Sequence, residues 1–267
     1  MPDPCTELRE SSGYVRRWLS RQPAVKEESL TDWLLYDVSQ RLPFVHYVAF
    51  SRHQEARETG ADWEWWILLP RHYFRLRVQA KKVSATDDNY PDLARTNRYG
   101  LQIDKLLADS RTANAIPLYA LYTTQTGDSM CGGQPHTHED GVFLAGASHL
   151  YADFIGGTRQ RISSSDLLSR SNPFSCFACC PLTREIDGAM SRYFERYYAA
   201  EVRPDGDASN EPRGTHTQLP GYVTSLLQHT GESIAGDGVP EWWEREFHSS
   251  LEDFNGILVY DYRTGNA

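Results

Sequence analysis

The sequence predicts an α/β protein on three observations: a hairpin of alternating apolar and polar residues around position 70, helical apolar spacing before and after it, and later apolar runs of strand length. From Gly60 to Leu69 the odd positions Ala61, Trp63, Trp65, Ile67 and Leu69 are apolar, while the even positions begin with Asp62 and Glu64. From Phe74 to Val83 the even positions Phe74, Leu76, Val78 and Ala80 are apolar, and Arg75, Arg77, Gln79 and Lys81 are polar. Successive side chains of a strand point to opposite faces, so period-2 alternation marks two strands. Pro70-Arg71-His72-Tyr73 reads as the turn, because proline donates no ladder hydrogen bond.

The other elements follow in order. Leu30, Trp33, Leu34 and Val38 repeat at helical spacing and predict a helix over Glu27–Gln40. Val45–Phe50 suits a strand, Tyr99–Ser110 a helix with Leu101, Leu106 and Leu107, and Ala115–Tyr122 another strand. Beyond it, Gly141–Ala147 reads as a strand running into a helix near His149–Phe154, and Glu185–Val202 as an amphipathic helix. Residues 203–218 are rich in Pro, Gly, Asp and Asn and read as a loop, and Asn255–Tyr260 reads as a last strand. The division expected is a core with an N-terminal helix over 1–126 and a C-terminal α+β extension over 127–267, either wrapped on that core or forming a second subdomain.

A turn centred on 70–73 sets Asp62 opposite Lys81 and Glu64 opposite Gln79, and directly opposed side chains share a face. A two-residue shift pairs Asp62 with Gln79 instead and keeps all four together. Two carboxylates, an amide and an ammonium form the inventory of a metal-dependent phosphodiesterase. A divalent ion neutralises the anionic phosphoryl group, and Mg²⁺ needs only one or two protein carboxylates beside water and phosphate oxygens. Asp62 and Glu64 are the expected metal anchors, the Gln79 carbonyl completes the shell, and Lys81 orients water or stabilises the transition state. The ordinary alternative is a solvated hairpin face with cross-strand ion pairs.

Gly60-Ala61-Asp62 followed by Gln79-Ala80-Lys81 resembles the PD-(D/E)xK nuclease superfamily, in its Mrr-like and Holliday-junction-resolvase-like branch, where the last motif is often Gln-x-Lys. The resemblance covers about residues 25–125. It implies a restriction-endonuclease-like core, a mixed central sheet flanked by helices, preceded by a helix that bears an acid. Glu27 is the matching acid, on the same helix face as Leu30 and Leu34, although acids in a first helical turn are also favoured by the helix dipole. Some relatives carry a Gln facing the site from the helix after the hairpin, and Gln102 is its match. The implied activity is endonucleolytic hydrolysis with Mg²⁺ or Mn²⁺, DNA being the favoured substrate, in a restriction, repair or anti-phage setting. Such relatives also imply a homodimer and a partner or activator chain. With Gln79 in place of an acid, the alternative is an idle nuclease-fold module that binds nucleic acid or protein.

Composition narrows the rest. Twenty-seven Lys and Arg against 36 Asp and Glu give a net charge of −9, wrong in sign for coating nucleic acid, so affinity must come from a local groove. Arg71, Arg75, Arg77, Lys81 and Lys82, followed by Arg95 and Arg98, are its candidates. No apolar run approaches a membrane span and no signal-peptide pattern opens the chain, so a cytoplasmic protein with no membrane contact is expected. Five cysteines include Cys176-Phe177-Ala178-Cys179-Cys180, and Cys131 lies near His136 and His138, which leaves open a structural Zn²⁺ at Cys176 and Cys179 within a zinc-stabilised interaction domain. A cytoplasmic setting makes disulfides unexpected. No nucleophile elbow, P-loop, dinucleotide fingerprint or His-Glu-x-x-His is present.

Overall fold

A helix absent from the expectations above comes first: α1 (Pro4–Arg21), whose Asp3 side chain caps the Thr6 N–H at 3.2 Å, with proline at the first helical position. This computed structural model describes residues 3–49, 60–94, 96–97, 100–125, 129–131, 140–156, 162–180, 182–183, 189–204, 212–229 and 254–264. Helix α2 (Glu27–Arg41) buries Leu30, Leu34, Leu35 and Val38, as the spacing predicts, and leads into β1 (Val45–Ala49).

The alternating segments form the predicted antiparallel hairpin of β2 (Trp63–Leu68) and β3 (Tyr73–Lys82). Its register pairs Trp63 with Val78 and Glu64 with Arg77, which is the two-residue shift rather than the centred turn. A short ribbon of β4 (Thr96–Asn97) and β5 (Gly100–Leu101) then occupies the start of the segment expected to be helical. Helix α3 (Gln102–Thr112) and β6 (Ile116–Tyr122) follow.

The second half extends the same sheet. Strand β7 (Val142–Gly146) pairs antiparallel with β6 and runs into α4 (Ala147–Leu150) and a π-helical turn at Tyr151–Ile155. Helix α5 (Ser164–Leu168), β8 (Ser171–Pro173), α6 (Cys176–Cys179), α7 (Ala189–Tyr197) and α8 (Ala199–Val202) come next. Inside the segment read as loop, β9 (Thr215–His216) pairs with the start of β3. After α9 (Gly221–Gln228), β10 (Gly256–Asp261) runs parallel to β2 and antiparallel to β1.

The result is α/β: an eight-stranded mixed sheet in the order β1-β10-β2-β3-β6-β7-β8, with β9 alongside β3, flanked by helices. The last strand is therefore interior to the sheet, between β1 and β2. Strands from both sides of position 126 share this sheet, β7 to β10 joining β1, β2, β3 and β6.

The two hairpin faces differ in kind. Trp65 packs edge-on against Phe174 and Phe177, and Phe74 meets Phe194. The opposite face carries Glu64, Arg77, Gln79 and Lys81, all four buried, with Arg77 and Gln79 bonded to α3 and Lys81 facing Glu27 of α2. That burial rules out the solvated-face alternative.

Cys5 on α1 and Cys179 on α6 form a disulfide spanning 174 residues. This corrects the expectation of no disulfide. The two halves of the pair are so far apart in sequence that only the packing of α1 on α6 brings them together.

At Gly256 the sheet has no room for a side chain, because an added Cβ would meet the Val48 carbonyl and the Trp63 ring. Gly256→Ala is expected to lower stability by about 1–3 kcal/mol through overpacking, read by denaturant unfolding. An unchanged unfolding midpoint would contradict this insertion of β10.

Candidate active site

The Gly-Ala-Asp segment has a steric logic. Gly60 sits at φ +69°, and a Cβ there would lie 2.6 Å from the Gln102 carbonyl and 2.7 Å from the Leu106 nitrogen. Only glycine allows both the left-handed backbone and this close approach of α3. The consequence is that Asp62, two residues on, and Gln102, at the start of α3, are held over the same end of the hairpin.

There the side chains interlock. Asp62 Oδ2 accepts from Gln79 Nε2 at 2.5 Å and from the Ala80 N–H at 2.9 Å. Gln102 Nε2 in turn donates to Gln79 Oε1 at 2.8 Å. Glu27, at the start of α2, places Oε1 3.8 Å from Lys81 Nζ. Lys82, next in the strand, donates to the Pro23 and Val25 carbonyls at 2.8 and 2.6 Å, which ties the α1–α2 connection to β3. Asp62, Gln79, Lys81 and Glu27 thus come together from the hairpin and α2, with Gln102 joining from α3.

Burial raises the Glu27 carboxyl to about 7, opposed by the Lys81 ammonium and reinforced by the Asp62 charge. Two carboxylates lie close enough to oppose each other's ionisation, with one ammonium beside them.

Glu64 is a correction. It shares the face of Asp62, but its oxygens are committed elsewhere. Arg75 Nη2 lies 2.9 Å from Oε2, Arg77 Nη1 bonds the same oxygen, Trp66 Nε1 donates to Oε1 at 2.6 Å, and the Tyr222 hydroxyl donates to Oε1 as well. Burial pushes this carboxyl up, yet Arg77, Arg75 and the two neutral donors outweigh it and hold it below the ordinary value. A carboxylate with four donors has no capacity left for a metal, so Glu64 leaves the predicted catalytic and ligand set.

The predicted basic groove shrinks for the same reason. Arg75 and Arg77 point inward, Arg77 Nε also reaching Asp109 Oδ2 at 2.9 Å and its guanidinium lying 4.1 Å from the Phe254 ring centroid. Lys82 is engaged with backbone carbonyls, Arg71 remains exposed, and Arg95 and Arg98 lie outside the described residues. Sequence reasoning missed Asp109, Tyr222 and Phe254 as members of this cluster. Tyr222 lies 158 residues from Glu64, and no local pattern connects them.

The residues test the implied metal as follows. Among the described residues no group of three or more His, Cys, Asp and Glu is arranged to hold an ion. Mg²⁺ and Mn²⁺ need fewer, and the Asp62–Glu27 pair supplies the one or two carboxylates that such ions take beside water and substrate oxygens. Gln79 would join through its carbonyl only after its amide turned over, since its nitrogen now faces Asp62. The zinc expectation fails at Cys179, whose sulfur is bonded to Cys5. Cys131, Cys176 and Cys180 are buried thiols, and His136 and His138 lie outside the described residues.

In EDTA, the Glu27 shift carries a sign. The folded carboxyl binds its proton below about 7, whereas the ordinary value is 4.5, so stability falls as pH rises between the two and is flat above. The stability of Glu27→Gln relative to the parent is expected to improve by on the order of 2 kcal/mol from pH 4 to pH 8, the group being partly exposed. Parallel pH profiles for the two proteins would contradict it.

A family model described as "Family of unknown function (DUF6615)" matches residues 4–257. No curated protein matches the chain.

Proposed function

The chain belongs to this family of unknown function, and from the site alone we propose that it is a metal-dependent nuclease that hydrolyses phosphodiester bonds, with DNA as the favoured substrate. The observation that carries this reading is the convergence of half-buried Asp62 and Glu27 on the buried Lys81, from the hairpin and α2, at one edge of the polar face.

Asp62 and Glu27 would hold Mg²⁺ or Mn²⁺, with the Gln79 carbonyl as third protein donor. A divalent cation held there supplies charge neutralisation at the phosphoryl group. Lys81, buried and anchored by its strand, presents an ammonium that can hydrogen-bond a phosphoryl oxygen or align the attacking water. Before an ion binds, Gln102 positions Gln79 and Gln79 positions Asp62, and both bonds give way when the Gln79 amide turns over to present its carbonyl.

Among the described residues no helix is long and apolar enough to cross a membrane. We propose a cytoplasmic setting, against which the Cys5–Cys179 disulfide stands, since such bonds are rare there. A homodimer is the natural arrangement for cutting both strands.

One observation favours a second reading. The Gln79 amide nitrogen, not its oxygen, faces Asp62, which suits an idle binding module. Cleavage of plasmid and single-stranded DNA in Mg²⁺ or Mn²⁺ separates the two. The nuclease reading expects cutting by the parent and at least about a hundredfold loss in Asp62→Ala and Lys81→Ala. Cutting that persists undiminished in both variants would overturn the site, and binding without cutting would favour the idle module.

A further inference from the structure

The two N-terminal helices carry a cluster of rings that the hairpin chemistry does not use. Tyr14 and Trp33 stack with centroids 4.0 Å apart at 22°, and Trp18 stands edge-on to both, at 6.2 Å from Tyr14 and 6.3 Å from Trp33. Trp18 is fixed by its Nε1–H bond to Gln22 Oε1 at 2.9 Å. Among the described residues the exposed large hydrophobics are Tyr14, 43% exposed, and Tyr36, 56% exposed and one turn beyond Trp33. Tyr14 is thus an exposed ring stacked on Trp33, with Trp18 and Trp33 partly buried against the core, and such a ring on an acidic protein calls for an occupant.

Charge identifies it. Tyr14, Arg17, Trp18 and Arg21 recur at i, i+3, i+4 and i+7 and share one face of α1. The Arg17 guanidinium lies 5.9 Å from the Tyr14 ring centroid, and exposed Lys26 immediately precedes α2. Acids at the opposite end of the helix pair are occupied: Glu7, Glu10 and Asp37 all bond Arg41, at 2.8, 2.9 and 2.8 Å. Asp32 on α2 is hydrogen-bonded to Tyr47. The exposed charges beside the rings on α1 are Arg17 and Arg21, next to Glu27 and Glu28 in the first turn of α2, and flat π faces beside guanidinium groups match bases and phosphates together.

Position agrees. The α1–α2 connection is clamped to Lys82, the neighbour of Lys81, and Trp33 lies six residues after Glu27, about 9 Å along the helix axis. That is about three base-stacking steps.

We infer that Tyr14, Trp18 and Trp33, with Arg17 and Arg21, form a stacking platform for unpaired nucleobases of the strand that enters or leaves the hairpin face. This rests on the nuclease reading of that face.

The test is fluorescence anisotropy of labelled oligo(dT), oligo(U) and a duplex with the full chain in EDTA, where nothing is cut. Preferential single-strand binding is expected, about tenfold weaker in Tyr14→Ala and in Arg17→Ala, as loss of one stacked base predicts, and preserved in Tyr14→Phe. Tyr14 is exposed, so its truncation leaves the core intact. The two oligonucleotides separate DNA from RNA as the source of the bases. Undiminished binding in Tyr14→Ala, or no single-strand binding by the parent, would overturn the platform even if duplex cleavage persists. Tyr14-dependent binding without any cleavage in Mn²⁺ would support the platform and remove the nuclease. A homodimer that Tyr14→Ala dissolves, seen by sedimentation, would overturn it in favour of an interface between copies.

Discussion

Burying the polar face of the β2–β3 hairpin beneath α3 is the constraint on which the rest depends. A charge taken out of water costs several kcal/mol unless it is paired, so each residue on that face must find partners according to its depth. Deep in the face, Glu64 is neutralised by Arg75 and Arg77 and bonded by Trp66 and Tyr222. At the rim, two carboxylates, Asp62 and Glu27, lie beside one ammonium, Lys81. The inner cluster is closed and structural. The outer one leans to negative charge, which a divalent cation would complete, while burial above all keeps the Glu27 carboxyl raised.

That difference in depth explains what the sequence revealed and what it hid. Alternation identifies which side chains share a face, so the hairpin and the company of Asp62, Gln79 and Lys81 were legible. The same alternation cannot grade burial along one strand, and Glu64 looked equivalent to Asp62. Its true partners include Tyr222, which reaches it from α9, far along the chain. The acid on α2 was legible because helical spacing puts Glu27 on the face of Leu30 and Leu34, which turns toward the sheet. Gln102 was visible only through family resemblance, since a glutamine at a helix start has no distinguishing pattern.

The fold shows the same division. Local elements such as α2, β3 and β6 follow their periodicity within a residue or two. Placement of β10 between β1 and β2 does not, because parallel pairing with β2 joins Gly256 to Trp63 across a long excursion of chain. A strand at the end of a sequence reads equally well as an edge or an interior strand, since both are short apolar runs. The Cys5–Cys179 bond was hidden similarly, and the nearby C-x-x-C spacing pointed toward a metal instead. Helix α1 was readable and overlooked: Asp3-Pro4 is a helix-start pair.

The account stands or falls on whether the rim of the polar face holds a divalent ion. Mn²⁺ binding followed by electron paramagnetic resonance, in the parent and in Asp62→Ala and Glu27→Gln, tests this without requiring turnover. The account predicts one bound ion per chain in the parent, lost in Asp62→Ala and weakened in Glu27→Gln. Binding that is equal in all three proteins, or absent from the parent, would contradict it.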